Sequence, residues 1–354
     1  MNQKKGITIR IGNKLVGGNQ PVFIIAEAGV NHNGSLELAL KLIDAAAFAG
    51  ADAVKFQTFR AEQVVTAGGE MAAYQKRNLG KTESQLAMLR KLELKEKYYP
   101  ALIQRAKERG IIFLSTPHGG RESVDFLQKI KVPAFKFGSG DLTNLPLLEY
   151  AAKFKKPMLI STGMSNLEEA KEAVAAIKKA GNNQILVFQC TTDYPLAPEN
   201  VNLRAMQTMI KELGVLVGYS DHTVGSQAAV MATALGACML EKHLTLDRNL
   251  PGPDQAASME PLEFKAMIQQ IEKSLVILGS SKKRLLNCEK QYMQVARKSL
   301  VSARAIRKGE KFTFKNLTVK RPGTGILPKR YKEILGKRAK LNIKKDSVIL
   351  EEMI

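Results

Sequence analysis

Between residues 22 and 240 the chain repeats one arrangement eight times: an apolar run, a polar residue where it ends, a loop, and a segment of helical period. The first copy shows it best. Phe23-Ile-Ile-Ala-Glu-Ala-Gly-Val-Asn-His-Asn-Gly34 begins as a β-branched run that reads as a buried strand. Glu27 sits where that strand runs out, and a Gly/Asn/His turn leads into a helix over 35–50. The eight runs are 22–26, 53–56, 111–114, 134–137, 158–160, 185–188, 215–217 and 238–240. Between them, Leu38, Leu42, Ile43 and Ala46 share one helical face, with Gly50 as the stop. Tyr99, Leu102, Ile103 and Ala106 do the same ahead of Gly110. Ser165-Asn-Leu-Glu168 reads as a capping box for a helix over 170–180 that ends at Gly181. Further helices are expected over 201–213, 226–235 and 261–278.

Eight strand–helix units in about 280 residues match a (β/α)8 TIM barrel. An open doubly wound sheet is the alternative, but no Gly-x-Gly-x-x-Gly turn follows the first strand. The stretch between Gln57 and Tyr98 exceeds a usual connection and reads as a lid or binding loop with some helix of its own. Ahead of the barrel, 7–11 and 14–16 alternate around Gly12-Asn13, a hairpin signal, placed to plug the barrel's base. The expected organisation is a barrel domain over 1–280, a linker over 281–294, and a small β-rich domain over 295–354. In that tail 300–305, 317–320, 339–343 and 348–350 alternate, and basic residues outnumber acids more than threefold.

The formal net charge of +21 raises nucleic acid as a partner. Against it, the lysines are scattered over amphipathic helices, Trp is absent and aromatics are only 6%, which leaves few stacking platforms. A solvated lysine-rich surface with a pull on anionic substrates is the plainer reading. No apolar run approaches the roughly 18 residues of a membrane span, and the polar start reads as no signal region. Cys190, Cys238 and Cys288 are too widely spaced for a disulfide framework or zinc knuckle, which fits a cytoplasmic protein.

Chemistry in such barrels lies at the C-terminal ends of the strands. Those ends read Glu27, Lys55 with Gln57, Thr116, Lys136 with Ser139, Ser161 with Thr162, Gln189 with Thr191, Ser220-Asp221-His222, and Glu241-Lys242-His243. Cations and hydroxyls converging on one mouth suit a small carboxylate or phosphate. Lys55 and Lys136 interrupt apolar strands, so each needs a buried partner, and a bound anion is the simplest one. A single histidine at a barrel mouth is more often a hydrogen-bonding group than a ligand. The chain has four histidines, however, and His222 and His243 end adjacent strands, which favours one shared divalent metal. Glu27 suits either a lysine partner or a catalytic role.

These residues fall in recognisable motifs. Ile25-Ala-Glu-Ala-Gly-Val-Asn-His-Asn-Gly34, Val54-Lys-Phe-Gln-Thr58, Phe135-Lys-Phe-Gly-Ser-Gly140, Gly218-Tyr-Ser-Asp-His-Thr223, Glu241-Lys-His-Leu-Thr-Leu-Asp247 and Pro251-Gly-Pro-Asp254 resemble the sialic acid synthase family. The tail, with Lys320-Arg-Pro-Gly-Thr-Gly325, resembles the antifreeze-like SAF domain of these synthases. The resemblance spans essentially the whole chain, in order. It implies a transferase that condenses phosphoenolpyruvate with open-chain N-acetylmannosamine, giving a nine-carbon 2-keto sugar acid (N-acetylneuraminate) and phosphate by C–O cleavage. The alternative substrate is 2,4-diacetamido-2,4,6-trideoxymannose, for legionaminic acid.

The resemblance also implies roles. His222 and His243 match metal ligands, for Mn2+ or Mg2+. Lys55, Thr116, Lys136, Ser139, Ser161 and Ser220 match phosphoenolpyruvate contacts, and Glu27 an essential carboxylate beside the reacting centre. Asp254, Tyr194 and Asn78 match sugar-side positions. Arg321 matches an arginine that the SAF domain sends into a partner subunit's site, implying a domain-swapped homodimer. Asp141 and Thr192 depart from some family members, which have Glu and Asn there, and both bear on which sugar is used. Two other readings stand beside this one: a condensing enzyme for sugar phosphates, and an idle polyanion-binding protein.

Overall fold

The computed structural model describes residues 6–80 and 83–354. The alternating N-terminal stretch folds as an antiparallel hairpin of β1 (Thr8–Ile11) and β2 (Lys14–Gly17). The eight apolar runs follow as β3 (Phe23–Gly29), β4 (Ala53–Thr58), β5 (Ile112–Pro117), β6 (Phe135–Phe137), β7 (Met158–Ser161), β8 (Ile185–Cys190), β9 (Leu216–Asp221) and β10 (Met239–His243). They form one eight-stranded sheet in the order β5-β4-β3-β10-β9-β8-β7-β6, with every resolved pairing parallel. Its end strands β5 and β6 lie beside each other, so the sheet curls into a nearly closed barrel.

Alternation along the strands decides what meets inside. Phe23, Ile25, Ala53, Leu114, Ala134, Leu159, Leu186, Phe188, Leu216 and Met239 turn inward and share a core with Ile9, Ile11 and Val16 of the hairpin. The hairpin therefore stops the N-terminal end of the barrel. Gly17 (φ +91°) lets it do so: a Cβ there would come within 2.6 Å of the Leu216 side chain and 2.7 Å of the Ile7 carbonyl. The intervening residues, such as Ile24, Ala26, Val54, Phe56, Val217 and Leu240, turn outward against the helices.

Helix Leu36–Ala49 starts at Ser35, whose Oγ accepts from the Leu38 N–H, and stops at Gly50. The capping box on helix Leu167–Lys179 lies one residue later than the sequence suggested: Asn166 Oδ1 accepts from the Glu169 N–H at 3.0 Å and Glu169 answers the Asn166 N–H at 2.8 Å. Ser165 is free to leave the cap because its hydroxyl donates to the Gly163 carbonyl at 3.3 Å. The long β4–β5 connection carries helices Ala61–Val64, Ala73–Leu79 and Gln85–Leu92 over a small core that includes Phe59, Met71, Met88, Leu89 and Leu92.

The chain divides between Gly279 and Ser280 into two compact units. The second has its own core, centred on Leu300, Ile306, Phe312, Ile334, Ile343 and Ile349, and one two-stranded sheet, β11 (Ser299–Ser302) with β12 (Leu317–Lys320). It is poorer in strand than its alternation suggests. Residues 339–343 and 348–350 meet their neighbours through single bridges, Ile306 with Ile343 and Val301 with Val348. The turn between them, with Asp346 at φ +66°, cuts each pairing short. Residues 281–294, expected as a linker, contain helix Asn287–Lys290 and belong to this second unit. Among the described residues no helix is long and apolar enough to cross a membrane.

Candidate active site

Past the hydrophobic floor, the inward positions become polar. Phe23 and Ile25 are followed by Glu27, Ala53 by Lys55, Leu114 by Thr116, Ala134 by Lys136, Leu159 by Ser161, and Met239 by Glu241 and His243. Four of these charges interlock. Lys55 Nζ lies 2.6 Å from Glu27 Oε2 and 3.7 Å from Glu241 Oε1, and Lys136 Nζ lies 3.3 Å from the same Glu241 oxygen. All four are buried. Lys55 also donates to Thr116 Oγ1 at 3.0 Å and Lys136 to Ser161 Oγ at 2.8 Å.

Burial pushes the Glu27 carboxyl up to about 7 against the pull of Lys55, and the nearby Glu241 charge adds to the rise. For Glu241 burial acts the same way, but Lys136 and Lys55 outweigh it and hold its carboxyl low. Burial lowers Lys136 in spite of Glu241. Two lysines thus stand at the mouth with one carboxylate held ionised beside them and one pushed toward its neutral form. Around it stand hydroxyls. Ser139 Oγ accepts the Gly163 N–H at 3.0 Å, an approach only glycine permits, because a Cβ on Gly163 would lie 2.2 Å from Thr192 Oγ1. Thr192 Oγ1 is itself buried and has no hydrogen-bond partner among the described residues.

On the other side of the mouth, the rings of His222 and His243 face each other with centroids 5.6 Å apart. His222 Nδ1 donates to the Thr191 carbonyl at 2.7 Å, which fixes its tautomer and leaves Nε2 as an acceptor. Burial, with the positive neighbours His222 and Lys55, keeps His243 neutral, and among the described residues its buried Nδ1 has no hydrogen-bond partner. Asp254 Oδ2 stands 3.9 Å from that nitrogen, and burial raises its carboxyl to about 6. Two imidazoles, one oriented by a carbonyl and one with a ring nitrogen that meets no hydrogen-bond partner among the described residues, fit a divalent cation. Among the described residues no cluster of three or more His, Cys, Asp or Glu could hold one, so substrate or water would complete the shell. Tyr194 lies over His222, ring centroids 4.0 Å apart.

Of the thirteen residues singled out in the sequence, eleven line one cavity of about 360 Å³. Two do not. Asn78 donates from Nδ2 to the Pro253 carbonyl at 2.7 Å and so anchors the loop that carries Asp254. Arg321 belongs to the second unit, exposed directly after β12. Glu241 and Cys190 also line the cavity and had been given no role. The alternation that makes Met239 point inward puts Glu241 and His243 on the same face, so the signal was present in the spacing. One wall comes from the long connection: Val64, Met88, Leu89 and Leu92 give it an aliphatic face, and Tyr74, Gln75 and Gln85 add polar groups to it.

A parallel eight-stranded barrel with a cationic, hydroxyl-rich mouth at the strand C-termini defines a TIM-barrel enzyme for small anionic substrates. The particular family is the sialic acid synthase family, phosphoenolpyruvate-dependent condensing enzymes, to which the chain belongs: the NeuB family model matches residues 42–283 and the SAF domain model matches 297–354. The chain is 47% identical to the N,N'-diacetyllegionaminic acid synthase of Campylobacter jejuni over 93% of its own length and 98% of that protein. It is 42% identical to the N,N'-diacetyllegionaminic acid synthase of Legionella pneumophila, over 97% of each. Among solved structures, the N-acetylneuraminic acid (sialic acid) synthetase of Leptospira borgpetersenii superposes with a TM-score of 0.71 at 34% identity, covering 80% of this chain and 94% of that one.

Proposed function

We propose that this chain condenses phosphoenolpyruvate with 2,4-diacetamido-2,4,6-trideoxymannose, as a legionaminic acid synthase does. Lys55 and Lys136 neutralise the carboxylate and phosphate of phosphoenolpyruvate, and Thr116, Ser139, Ser161 and Ser220 supply hydroxyls to the same groups. C3 of phosphoenolpyruvate attacks the sugar aldehyde carbon, forming the new C–C bond, and the aldehyde oxygen takes a proton. Water adds at C2, and phosphate leaves with the C2–O bond. Glu27, with its carboxyl poised near neutrality, accepts the proton of the attacking water. Tyr194 and Asp254 face the sugar, and Asn78 holds the Asp254 loop in place. His222 and His243 would hold Mn2+ or Mg2+, which supplies Lewis acidity toward a carbonyl oxygen.

The observation that carries the choice of sugar is the aliphatic wall of Val64, Met88, Leu89 and Leu92. The diacetamido sugar has a second acetyl methyl and a C6 methyl where N-acetylmannosamine has hydroxyls. Each methyl buried contributes about 0.8 kcal/mol, and each hydroxyl left unpaired costs about 1–3 kcal/mol. With two methyls and two hydroxyls these terms amount to about 4–8 kcal/mol, so a preference of at least roughly 400-fold in kcat/KM follows. The Campylobacter jejuni and Legionella pneumophila relatives are named for the acid that this sugar would give. The second reading, N-acetylmannosamine, is favoured by Thr192 Oγ1, a buried hydroxyl free to meet a sugar hydroxyl. Comparing kcat/KM for the two sugars with Mn2+ decides. Equal or faster use of N-acetylmannosamine would sink the choice.

Arg321 completes the reading. It is exposed, and among the described residues no carboxylate pairs with it. An unpaired guanidinium on the second unit suits delivery to the acyl group of a sugar in a partner subunit, in a domain-swapped homodimer. Sedimentation of the full chain tests the assembly, and a monomer with full activity would refute it.

A further inference from the structure

Directly behind the histidine pair, on the outward face of the barrel, lies a second set of charges that the reaction does not touch. Asp221 and Lys242 are register partners on β9 and β10. Alternation turns them away from the cavity, while Ser220, Glu241 and His243 turn into it. Lys242 Nζ lies 2.7 Å from Asp221 Oδ2, and both residues are buried. The same ammonium donates to the Thr223 carbonyl at 2.7 Å. Asp221 Oδ1 in turn accepts the Thr223 N–H at 2.9 Å, the Thr223 hydroxyl at 2.8 Å and the Tyr219 hydroxyl at 3.2 Å.

Such a pair is a poor way to gain stability. Both ions lose their water, and a well-packed apolar pair of the same volume often serves a fold as well or better. What it gives is geometry. One ammonium grips the side chain just before His222 and the carbonyl just after it, and it is itself the residue just before His243. The backbone on both sides of His222, and the strand from which His243 emerges, are thus tied to a single atom.

We propose that the Asp221–Lys242 pair is a positioning device that sets the offset between the His222 and His243 rings and thereby their joint affinity for a divalent cation. This rests on the reading of those histidines as metal ligands. Neither Asp221 nor Lys242 touches substrate or metal; both act through the histidines.

The test uses the full chain and the double variant Asp221→Asn/Lys242→Met, which removes both charges and keeps the acceptor for Thr223. Three quantities are read: thermal unfolding without metal, Mn2+ binding by electron paramagnetic resonance, and imidazole 15N spectra of the metal-free proteins. With four histidines in the chain, His222→Gln assigns the relevant signal. The double variant is expected to unfold within a few degrees of wild type. It should bind Mn2+ about 10- to 100-fold more weakly, the usual cost of losing an outer-shell partner. Its His222 signal should leave the single Nδ1–H tautomer. A folded double variant with Mn2+ affinity within twofold and an unchanged His222 signal would overturn the proposal. Thr223→Val deletes one donor to Asp221 and leaves both charges. It should weaken Mn2+ several-fold at unchanged unfolding temperature, and unchanged affinity there would overturn the proposal even if the double variant failed to fold. A wild-type protein that bound no Mn2+ would end the metal reading. The imidazole spectra would then decide the positioning claim alone.

Discussion

Lys136 is the most informative single position, because its loss separates two effects that usually travel together. Its ammonium lies 3.3 Å from Glu241 and 2.8 Å from the Ser161 hydroxyl, and the residue is buried. At an effective dielectric of about 20, two unit charges at that distance attract by ~5 kcal/mol. Removing one partner of a buried pair costs about 3–5 kcal/mol, because the other charge stays behind. Lys136→Met should therefore lower the unfolding temperature by roughly 6–10 °C, taking about 2 °C per kcal/mol for a domain of this size. It should also abolish phosphate release from phosphoenolpyruvate. Glu241 then keeps only Lys55, 3.7 Å away, and the double variant Lys136→Met/Glu241→Gln removes that carboxylate, so most of the lost temperature should return. The lysine's contact with the substrate anion does not return, so turnover should stay at least about 100-fold below wild type, the scale of a lost anion contact. Differential scanning fluorimetry and a phosphate-release assay read the two effects separately. Recovery of turnover together with stability would refute the assignment, since the lysine would then matter only as a counter-ion to Glu241.

The other expectations are simpler. If Glu27 is the base, kcat/KM should rise through pH ~7 as its carboxyl ionises, and Glu27→Gln should be slow and lack that limb; a limb that survives belongs to another group. His32 is fully buried, and burial lowers it to about 4 from an ordinary 6.5. The unfolded chain therefore takes up a proton first, and stability present above pH 6.5 is lost as pH falls toward 4. The loss amounts to about 3 kcal/mol, and urea midpoints across that range in wild type and His32→Asn should show a shallower slope in the variant. Asn78→Ala frees the loop at Pro253 and should raise KM for the sugar by about three- to tenfold, the worth of one hydrogen bond. KM for phosphoenolpyruvate should hold, and a parallel rise in both would make Asn78 a general support. Leu89→Asn places an amide in the aliphatic wall and should narrow the preference for the diacetamido sugar; an unchanged ratio would remove the wall from specificity.

Much of this site was legible in the sequence because one rule, alternation in a strand, acts eight times over. Each apolar run marked a barrel strand, and each polar residue at its end marked the mouth, which brought Glu27, Lys55, Thr116, Lys136 and the two histidines together. Phase was harder to read than position. Asp221 and Lys242 sit among the same motifs as His222 and His243 yet point the other way, and Glu241 gained its place only when Met239 was seen to face inward. Caps and short bridges were less legible for a local reason. Ser165 and Asn166 both offer an acceptor three residues before a glutamate, and only the turn at Gly163 decides between them. In the second unit, 339–343 alternates like a strand, but the neighbouring turns allow one bridge and no ladder. The anchoring of Asn78 on Pro253 joins residues 175 apart and leaves no trace in local pattern.

In the proposed mechanism the barrel mouth holds phosphoenolpyruvate so that water attacks C2 and phosphate departs with its bridging oxygen. Phosphoenolpyruvate labelled with 18O at that oxygen, turned over with 2,4-diacetamido-2,4,6-trideoxymannose and Mn2+, tests it directly by mass spectrometry of the released phosphate. The phosphate is expected to carry the label, and its release to require the sugar. Unlabelled phosphate would show cleavage at phosphorus and contradict it.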